Sequence, residues 1–301
     1  MKITCMLGVA TLVLATSHAS NVTLNKPVTL NGSFFTSGGT YYPGYTSSAA
    51  TVTDGLFVPA GTVWYGGTIW WTEGDSPGAT VEIDLQGTFT IESLVVQADD
   101  NDAYLLEYYD PQDGLWKTAW DVPNADFVNG VNVFGMQTRP NPQDETEQYI
   151  LPAPIIASAL RFSGKVPPQS DGAFSVSEIQ AYGYELIAGD VDIKPGSDVN
   201  PLNVKAKGVL PVAVLGSDTL DVTSIDASSA LLSDVSPLRW AYEDVNEDGF
   251  DDLTLKFSNQ EVVTALGPVA DGDLIDLPFS AWLEDGSLLL GSDKIWVISK
   301  Q

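Results

Sequence analysis

Leu238-Arg239-Trp240-Ala241-Tyr242-Glu243-Asp244-Val245-Asn246-Glu247-Asp248-Gly249-Phe250-Asp251-Asp252-Leu253-Thr254-Leu255-Lys256-Phe257 alternates apolar and polar residues at both ends and carries a run of oxygen-bearing side chains between them. Alternation of this kind predicts two strands, so the acidic middle is the loop that joins them. Asp244, Asn246, Asp248 and Asp252 stand at loop positions one, three, five and nine, with Gly249 at six, where the backbone must turn sharply. This spacing wraps a hard cation in oxygen, and calcium accepts many oxygens at flexible distances. Phe250 adds its main-chain carbonyl to the expected ligand set.

Two features exclude an EF-hand. The twelfth position is Leu255 rather than a bidentate acid, and strands rather than helices flank the loop. The stretch resembles the calcium hairpins of integrin-type propeller repeats, which share the aspartate, asparagine, aspartate-glycine and final aspartate spacing. One copy is present, so no propeller is expected. A solvated acidic turn is the alternative, since Asn, Asp and Gly are also ordinary turn residues. Against it, Asp244, Glu247, Asp248, Asp251 and Asp252 crowd one short loop and repel one another unless a cation neutralises them.

Residues 1–19 read as a secretory signal: Lys2, an apolar run from Ile3 to Ala15, then Ser17-His18-Ala19 with small residues flanking the cut. That run is too short for a comfortable membrane span, and no later segment approaches the length of one. The expected product is secreted or extracellular, in the periplasm or at a cell surface, and soluble. Cleavage after Ala19 removes the chain's single cysteine, Cys5, and its single histidine, His18. A Cys or His nucleophile pair, a disulfide and a zinc site of the usual nitrogen and sulfur kind are thereby excluded from the mature protein.

The formal charge is −27, and loss of Lys2 makes it −28. Residues 20–187 carry 20 acids against 5 bases, and residues 188–301 carry 20 against 7, so both halves share the excess. Such a surface repels phosphates and anionic lipids, so nucleic acid and membrane are not expected partners. Divalent cations and neutral glycans remain compatible. The content of Val, Leu, Ile and aromatics is high enough for sizeable cores, so acidity here does not mean disorder. Closely spaced Gly and Pro with little helical periodicity predict an all-β chain of two domains.

In the first half, Asn21-Val22-Thr23-Leu24-Asn25-Lys26-Pro27-Val28 opens the pattern, Asp54-Gly55 follows with downstream tryptophans, and Val81-Glu82-Ile83-Asp84-Leu85 alternates as a strand. Ala159-Leu160-Arg161-Phe162 and Ser177-Glu178-Ile179-Gln180-Ala181-Tyr182-Gly183 close it. In this order and spacing, roughly residues 21–184 resemble the discoidin-like, or coagulation-factor C-type, family. The resemblance implies an antiparallel jelly-roll sandwich, whose bacterial members are often carbohydrate-binding modules. It also implies a structural calcium at the aspartate-glycine turn, completed by the glutamate of the closing strand. Here those residues are Asp54 and Glu178; a plain turn residue and a solvent-facing strand residue are the alternatives.

Ligands in that family dock on loops at one end of the sandwich, where aromatic faces meet sugar rings. The candidates are Trp70, Trp71, Trp120, Arg139 and Asn141. Neighbouring strand residues point to opposite faces, so one of Trp70 and Trp71 is expected in the core and the other outside. For any one tryptophan, core packing is the competing reading, and for Arg139 an ion pair with a nearby acid. Asp99-Asp100-Asn101-Asp102 suits a cation, sugar hydroxyls or a solvated turn equally. Glu82 and Asp84 look like the start of a retaining β-glucanase strand, but Gln86-Gly87 follows where a second glutamate is required, so no catalytic residue is expected.

Ile187-Ala188-Gly189-Asp190 reads as a short connection into a second β domain over residues 190–301, the first covering 20–186. The apolar stretch Gly208–Leu215 predicts a central strand, with Pro211 at a bulge or facing an edge. Ser258-Asn259-Gln260-Glu261 has capping-box spacing and predicts a helix of about two turns ending at Gly267. Glu284-Asp285-Gly286-Ser287 predicts a hairpin turn. The combined expectation is an all-β exported bacterial protein, a discoidin-like jelly-roll sandwich followed by a smaller β-sandwich-like domain with one short helix. It binds calcium and a polysaccharide or cell-surface glycan without catalysis. A calcium-stabilised structural or adhesive matrix component, self-associating through calcium, is the second expectation, and a carboxylate-only glycosidase the third.

Overall fold

The computed structural model describes residues 19–33, 35, 48–125, 127–128, 131–165, 171–197 and 199–299. The expected secretory signal, with Cys5 and His18, lies outside the described residues except for Ala19. The chain is all-β, with one α-helix, Asn259–Leu266, among the described residues. Two compact units divide it between Glu185 and Leu186.

The N-terminal unit is built around one 20-residue strand, Thr80–Asp99. Its first part pairs with Val28–Asn31 on one side and with residues 159–162 of the strand Tyr149–Gly164 on the other. Its later part stays paired with Tyr149–Gly164 as far as Leu94 and pairs on the other side with the strand Ala173–Ala188, and at its end with Met136–Arg139. On that other side the change from Val28–Asn31 falls around Gln86-Gly87. Gln86 takes a positive φ of 58°, held by a 2.9 Å hydrogen bond from its own N–H to Asp84 Oδ1. Asp84 thus stabilises a bend in the strand, the structural role that competed with a catalytic one. Tyr104–Asp110 and Leu115–Val122 extend the antiparallel sheet beyond Tyr149–Gly164.

Alternate residues of the long strand enclose the core. Val81, Ile83, Leu85, Ile91, Leu94 and Val96 are all at or near zero exposure and pack with Phe162, Phe174 and Trp71. At about 25 cal/mol per Å² of apolar surface removed from water, such side chains contribute about 1.5–3 kcal/mol each.

The C-terminal unit has a four-stranded antiparallel sheet in the order Asp190–Ile193, Val209–Leu215, Asp252–Ser258, Arg239–Glu243. Val209–Leu215 is central, as its apolar run predicts. Pro211 faces the neighbouring strand just beyond Ile193, where the chain turns away at Lys194 with φ 59°; its missing N–H interrupts no ladder bond, while its carbonyl accepts from Lys194 N at 2.8 Å. A hairpin of Leu274–Trp282 and Leu288–Ile298 adds a second layer of strands. Ser258 caps the helix through its side-chain oxygen, and Gly267 ends it at φ 69°. Ile187–Asp190 differs from a plain connection: Leu186–Ala188 pair in parallel with Leu288–Leu290, and Asp190 begins the next strand. Gly189 permits this, because a Cβ there would lie 2.5 Å from Leu289 Cδ2.

Candidate functional site

The long strand of the N-terminal unit ends at Asp99, where the chain turns through Asp100-Asn101-Asp102 into the strand Tyr104–Asp110. Beside this turn is a cavity of about 510 Å³, lined by Trp64, Phe134, Asp99, Asp100, Asn101 and Asp171 among others. Four separate segments supply these residues, and two of them, around Trp64 and Phe134, are tied directly to each other. They are held together by backbone contacts: Gly61 N donates to Met136 O at 3.0 Å and Met136 N to Thr62 O at 2.8 Å. Gly135 makes that approach sterically feasible, since it has φ 64° and a Cβ would lie 2.3 Å from Thr62 O. Phe134 is consequently held out into solvent, 68% exposed. Trp64 is half-buried, packed edge-on against Trp70 at 4.8 Å and Tyr65 at 5.2 Å.

Arg139 builds the acidic turn from behind. Its guanidinium is buried and donates to the carbonyls of Ala98 at 2.7 Å, Gln137 at 2.8 Å and Asp99 at 2.5 Å, with longer bonds to Pro123, Asp100 and Asp102. A planar fork of five N–H donors suits this task, which a lysine cannot duplicate. Asp99 and Asp102 are buried rather than solvated, at 4% and 0% exposure, and one oxygen of each, Asp99 Oδ1 and Asp102 Oδ2, has no hydrogen-bond partner. Burial, reinforced by the charge of Asp100, raises Asp99 to a pKa of about 7. Burial, with the charges of Asp171 and Asp99, raises Asp102 to about 8. Asn101 Nδ2 donates to Asp171 Oδ2 at 3.0 Å, and Asp171 N donates to Asp102 Oδ1 at 3.3 Å, tying the two loops together.

The expected ligand-binding residues lie elsewhere in the packing. Trp70 and Trp71 are both buried, at 5% and 1% exposure, so neither presents a face to solvent. The two rings do point to opposite faces, but both faces are covered: Trp64 packs on Trp70, while Trp71 packs between Phe35 and Phe174. Trp120 is in the core, stacked on Tyr149 at 4.5 Å and 4°. Arg139 is a structural residue that contacts carbonyls, neither a ligand contact nor an exposed ion pair. Asn141 is half-buried and occupied locally, accepting from Gln143 N and donating to Glu147 Oε2 at 2.8 Å. Trp64, Phe134 and Asp171 were not singled out from sequence.

Asp54 and Glu178, 124 positions apart, meet at the same turn. Gly55 N donates to Glu178 Oε1 at 3.1 Å, and Asp54 Oδ1 accepts from Leu56 N at 2.9 Å. Glu178 is fully buried, not solvent-facing, and its Oε2 has no partner. Burial first, with a further contribution from the charge of Asp54, raises its pKa to about 8. An orphaned buried carboxylate oxygen next to a second acid has the chemistry to accept a cation. No cluster of three or more acids, histidines or cysteines able to hold a metal occurs among the described residues.

In the C-terminal unit, the acidic loop joins two antiparallel strands, with Glu243 opposite Asp252. Asp248 N is shared between Asp244 Oδ1 at 3.2 Å and Asn246 Oδ1 at 3.1 Å, and Gly249 N donates to Asp244 Oδ2, so these side chains converge on the loop interior. Asp248 Oδ1 accepts from Phe250 N at 2.9 Å. Asp252 differs from the other three: it is buried and accepts from Gly216 N and Val245 N, both at 2.8 Å, fixing the base of the loop.

No family model and no curated protein matches this chain. Solved structures do resemble it. CpGH89CBM32-4 of Clostridium perfringens, in complex with GlcNAc-α-1,4-galactose, is 18% identical, with 56% of this chain and 98% of that one covered at a TM-score of 0.34. The family 32 carbohydrate-binding module of Streptococcus pneumoniae EndoD is 18% identical, with 54% and 99% covered at 0.32. Chitosan-binding module 1 of a chitosanase/glucanase from Paenibacillus sp. IK-5 is 15% identical, with 55% and 99% covered at 0.33.

Proposed function

We propose that the N-terminal unit binds a glycan, without catalysis, in the cavity lined by Trp64, Phe134, Asp99, Asp100, Asn101 and Asp171. One observation carries this reading: a single cavity combines exposed aromatic surface with a group of carboxylate and amide oxygens. A sugar ring has the matching chemistry, with C–H faces that pack on aromatic rings and hydroxyls that donate to fixed acceptors. The volume is in the range of small-ligand sites, roughly 300–1,000 Å³. The cavity is set on loops anchored by a rigid strand end and a buried arginine, the arrangement that binding sites favour.

Calcium is the proposed ion for two places. Glu178 and Asp54 would hold one, supplying the positive charge that a buried carboxylate lacks. Asp244, Asn246, Asp248 and the Phe250 carbonyl would hold another, with Asp252 at its base. In both places the ion's role is to stabilise the fold. The sequence of residues 1–19 supports export, where millimolar calcium and surface glycans are both available.

A glycan array probed in calcium tests the binding reading, with GlcNAc-α-1,4-galactose and chitotriose included. Retention of a defined set of glycans, lost with Trp64→Ala, is expected. Binding to no glycan by a folded protein contradicts it.

A further inference from the structure

We infer that the C-terminal unit pairs edge to edge with a second copy of itself, the strand Arg239–Glu243 lying antiparallel to the same strand of that copy about a two-fold axis at Ala241. This goes beyond the glycan reading and does not rest on it.

The strand closes one edge of the four-stranded sheet, with Asp252–Ser258 as its neighbour on the other side. All five of its residues are exposed. In an antiparallel strand the main-chain N–H and C=O of alternate residues point away from the neighbour, so this edge offers a row of donors and acceptors. Natural edges are commonly blunted by proline or a bulge. This one contains no proline and stays in register over all five pairs.

The side chains add an apolar stripe to that edge. Trp240 and Tyr242 stand opposite Leu255 and Leu253, which are fully buried in the core. Directly opposed residues share a face of the sheet, and so do residues two apart. Leu238, Trp240 and Tyr242 therefore carry the core face past its covered area, at 58%, 45% and 43% exposure. Arg239 and Glu243, on the other face, belong to no ion pair among the described residues.

A sugar would use the rings and leave the main-chain groups without partners, whereas an added strand satisfies both. A second copy fits because Arg-Trp-Ala-Tyr-Glu complements its own reverse. In the antiparallel pair, Arg239 faces the second copy's Glu243 at both ends, Trp240 faces the second copy's Tyr242, and Ala241 faces its equivalent on the axis. Parallel pairing would set arginine opposite arginine and glutamate opposite glutamate, and a two-residue slip would lose both ion pairs. The order of charges thus selects one register. It matters more in a chain with 40 acidic residues against 13 basic ones, since two such molecules repel unless opposite charges are set face to face. A two-fold contact of this kind closes on itself, giving a dimer rather than a fibre.

Sedimentation velocity of the full exported chain in calcium, from about 5 to about 500 μM, is the test, because a contact of one short strand belongs with the weak specific interfaces. A concentration-dependent shift from monomer to dimer is expected. Arg239→Glu alone and Glu243→Arg alone should each weaken the dimer about tenfold or more, because each sets like charges opposite one another at both ends. The double variant should restore it, since the two exchanges together rebuild the opposite pairs. Both positions are exposed, so wild-type melting temperatures are expected in all three variants and confirm that each is folded.

A chain that stays monomeric over the whole range overturns the inference. So does a dimer that the single variants keep, which places the contact elsewhere, and so does a folded double variant that fails to regain it, which excludes this register. If the chain is monomeric and Trp240→Ala loses retention on the glycan array, the stripe takes a sugar instead of a second copy, and the inference is again overturned.

Discussion

Arg139 donates to the main-chain carbonyl of Asp99 at 2.5 Å, while the Asp99 side chain keeps one carboxylate oxygen without any hydrogen-bond partner. The arginine therefore fixes the path of the acidic turn through its main chain and leaves the buried carboxylate uncompensated.

Arg139→Met should destabilise the N-terminal unit by about 3 kcal/mol or more, because several buried carbonyls lose their donor at once. Arg139→Lys should recover only part of that loss, since three donors on a flexible stem cannot span the same carbonyls. Urea unfolding followed by tryptophan fluorescence measures both. Wild-type stability in either variant contradicts the role given to the arginine.

Trp64→Ala should weaken glycan binding about tenfold or more yet cost only about 1–2 kcal/mol of stability, as Trp64 is half-buried and packs mainly on Trp70. Trp71→Ala should do the reverse, costing about 3–5 kcal/mol through a core cavity. Thermal melts alongside affinity measurements separate the two.

Glu178 gives a pH signature. Its folded-state pKa of about 8 exceeds the ordinary value of 4.5, so between these values the folded chain holds more protons than the unfolded one and stability falls as pH rises. The contribution is complete below about pH 4.5 and is lost by about pH 8. In chelator, wild type should lose more stability than Glu178→Gln between about pH 5 and pH 8. Calcium should abolish the difference by favouring the charged carboxylate. Parallel slopes in chelator would show that Glu178 ionises freely in the folded state.

The hairpin permits a similar separation. Asp252→Ala should destabilise by about 2 kcal/mol with or without calcium, because Gly216 N and Val245 N both lose an acceptor. Asp248→Ala should change only the calcium-dependent part of the melt, by mass action. If chelator leaves the wild-type melting temperature unchanged, the loop binds no ion.

Much of this architecture was legible in the sequence. The alternation around Asp244–Asp252, the capping box at Ser258 and the turn at Glu284–Ser287 are local patterns, and local hydrogen bonds realise each of them. The convergence of Asp54 and Glu178 was legible only through family resemblance, since no local pattern links residues so far apart. Of the cavity, only the acidic turn Asp99–Asp102 stood out in the sequence, and there a solvated turn suited it equally. Trp70, Trp71 and Trp120 looked like ligand contacts because exposure depends on what covers a side chain; Trp64 supplies the cover from six residues away, and Phe174 and Tyr149 from distant segments. Arg139 looked exposed because a loop arginine usually is; here six carbonyls gathered from three stretches of chain accept from it. The cavity residues come from loops whose approach is set by Gly135, a backbone property that composition does not reveal.

Nuclear magnetic resonance of the labelled chain tests most directly whether a glycan occupies the Trp64, Asp99 and Asp171 cavity. On titration with the best glycan from the array, the Trp64 indole and the amides of Asp99–Asn101, Phe134 and Asp171 should shift together with one affinity, and those of Trp240–Phe250 should not move. Shifts confined to the acidic hairpin, or spread evenly over the surface, would contradict the account.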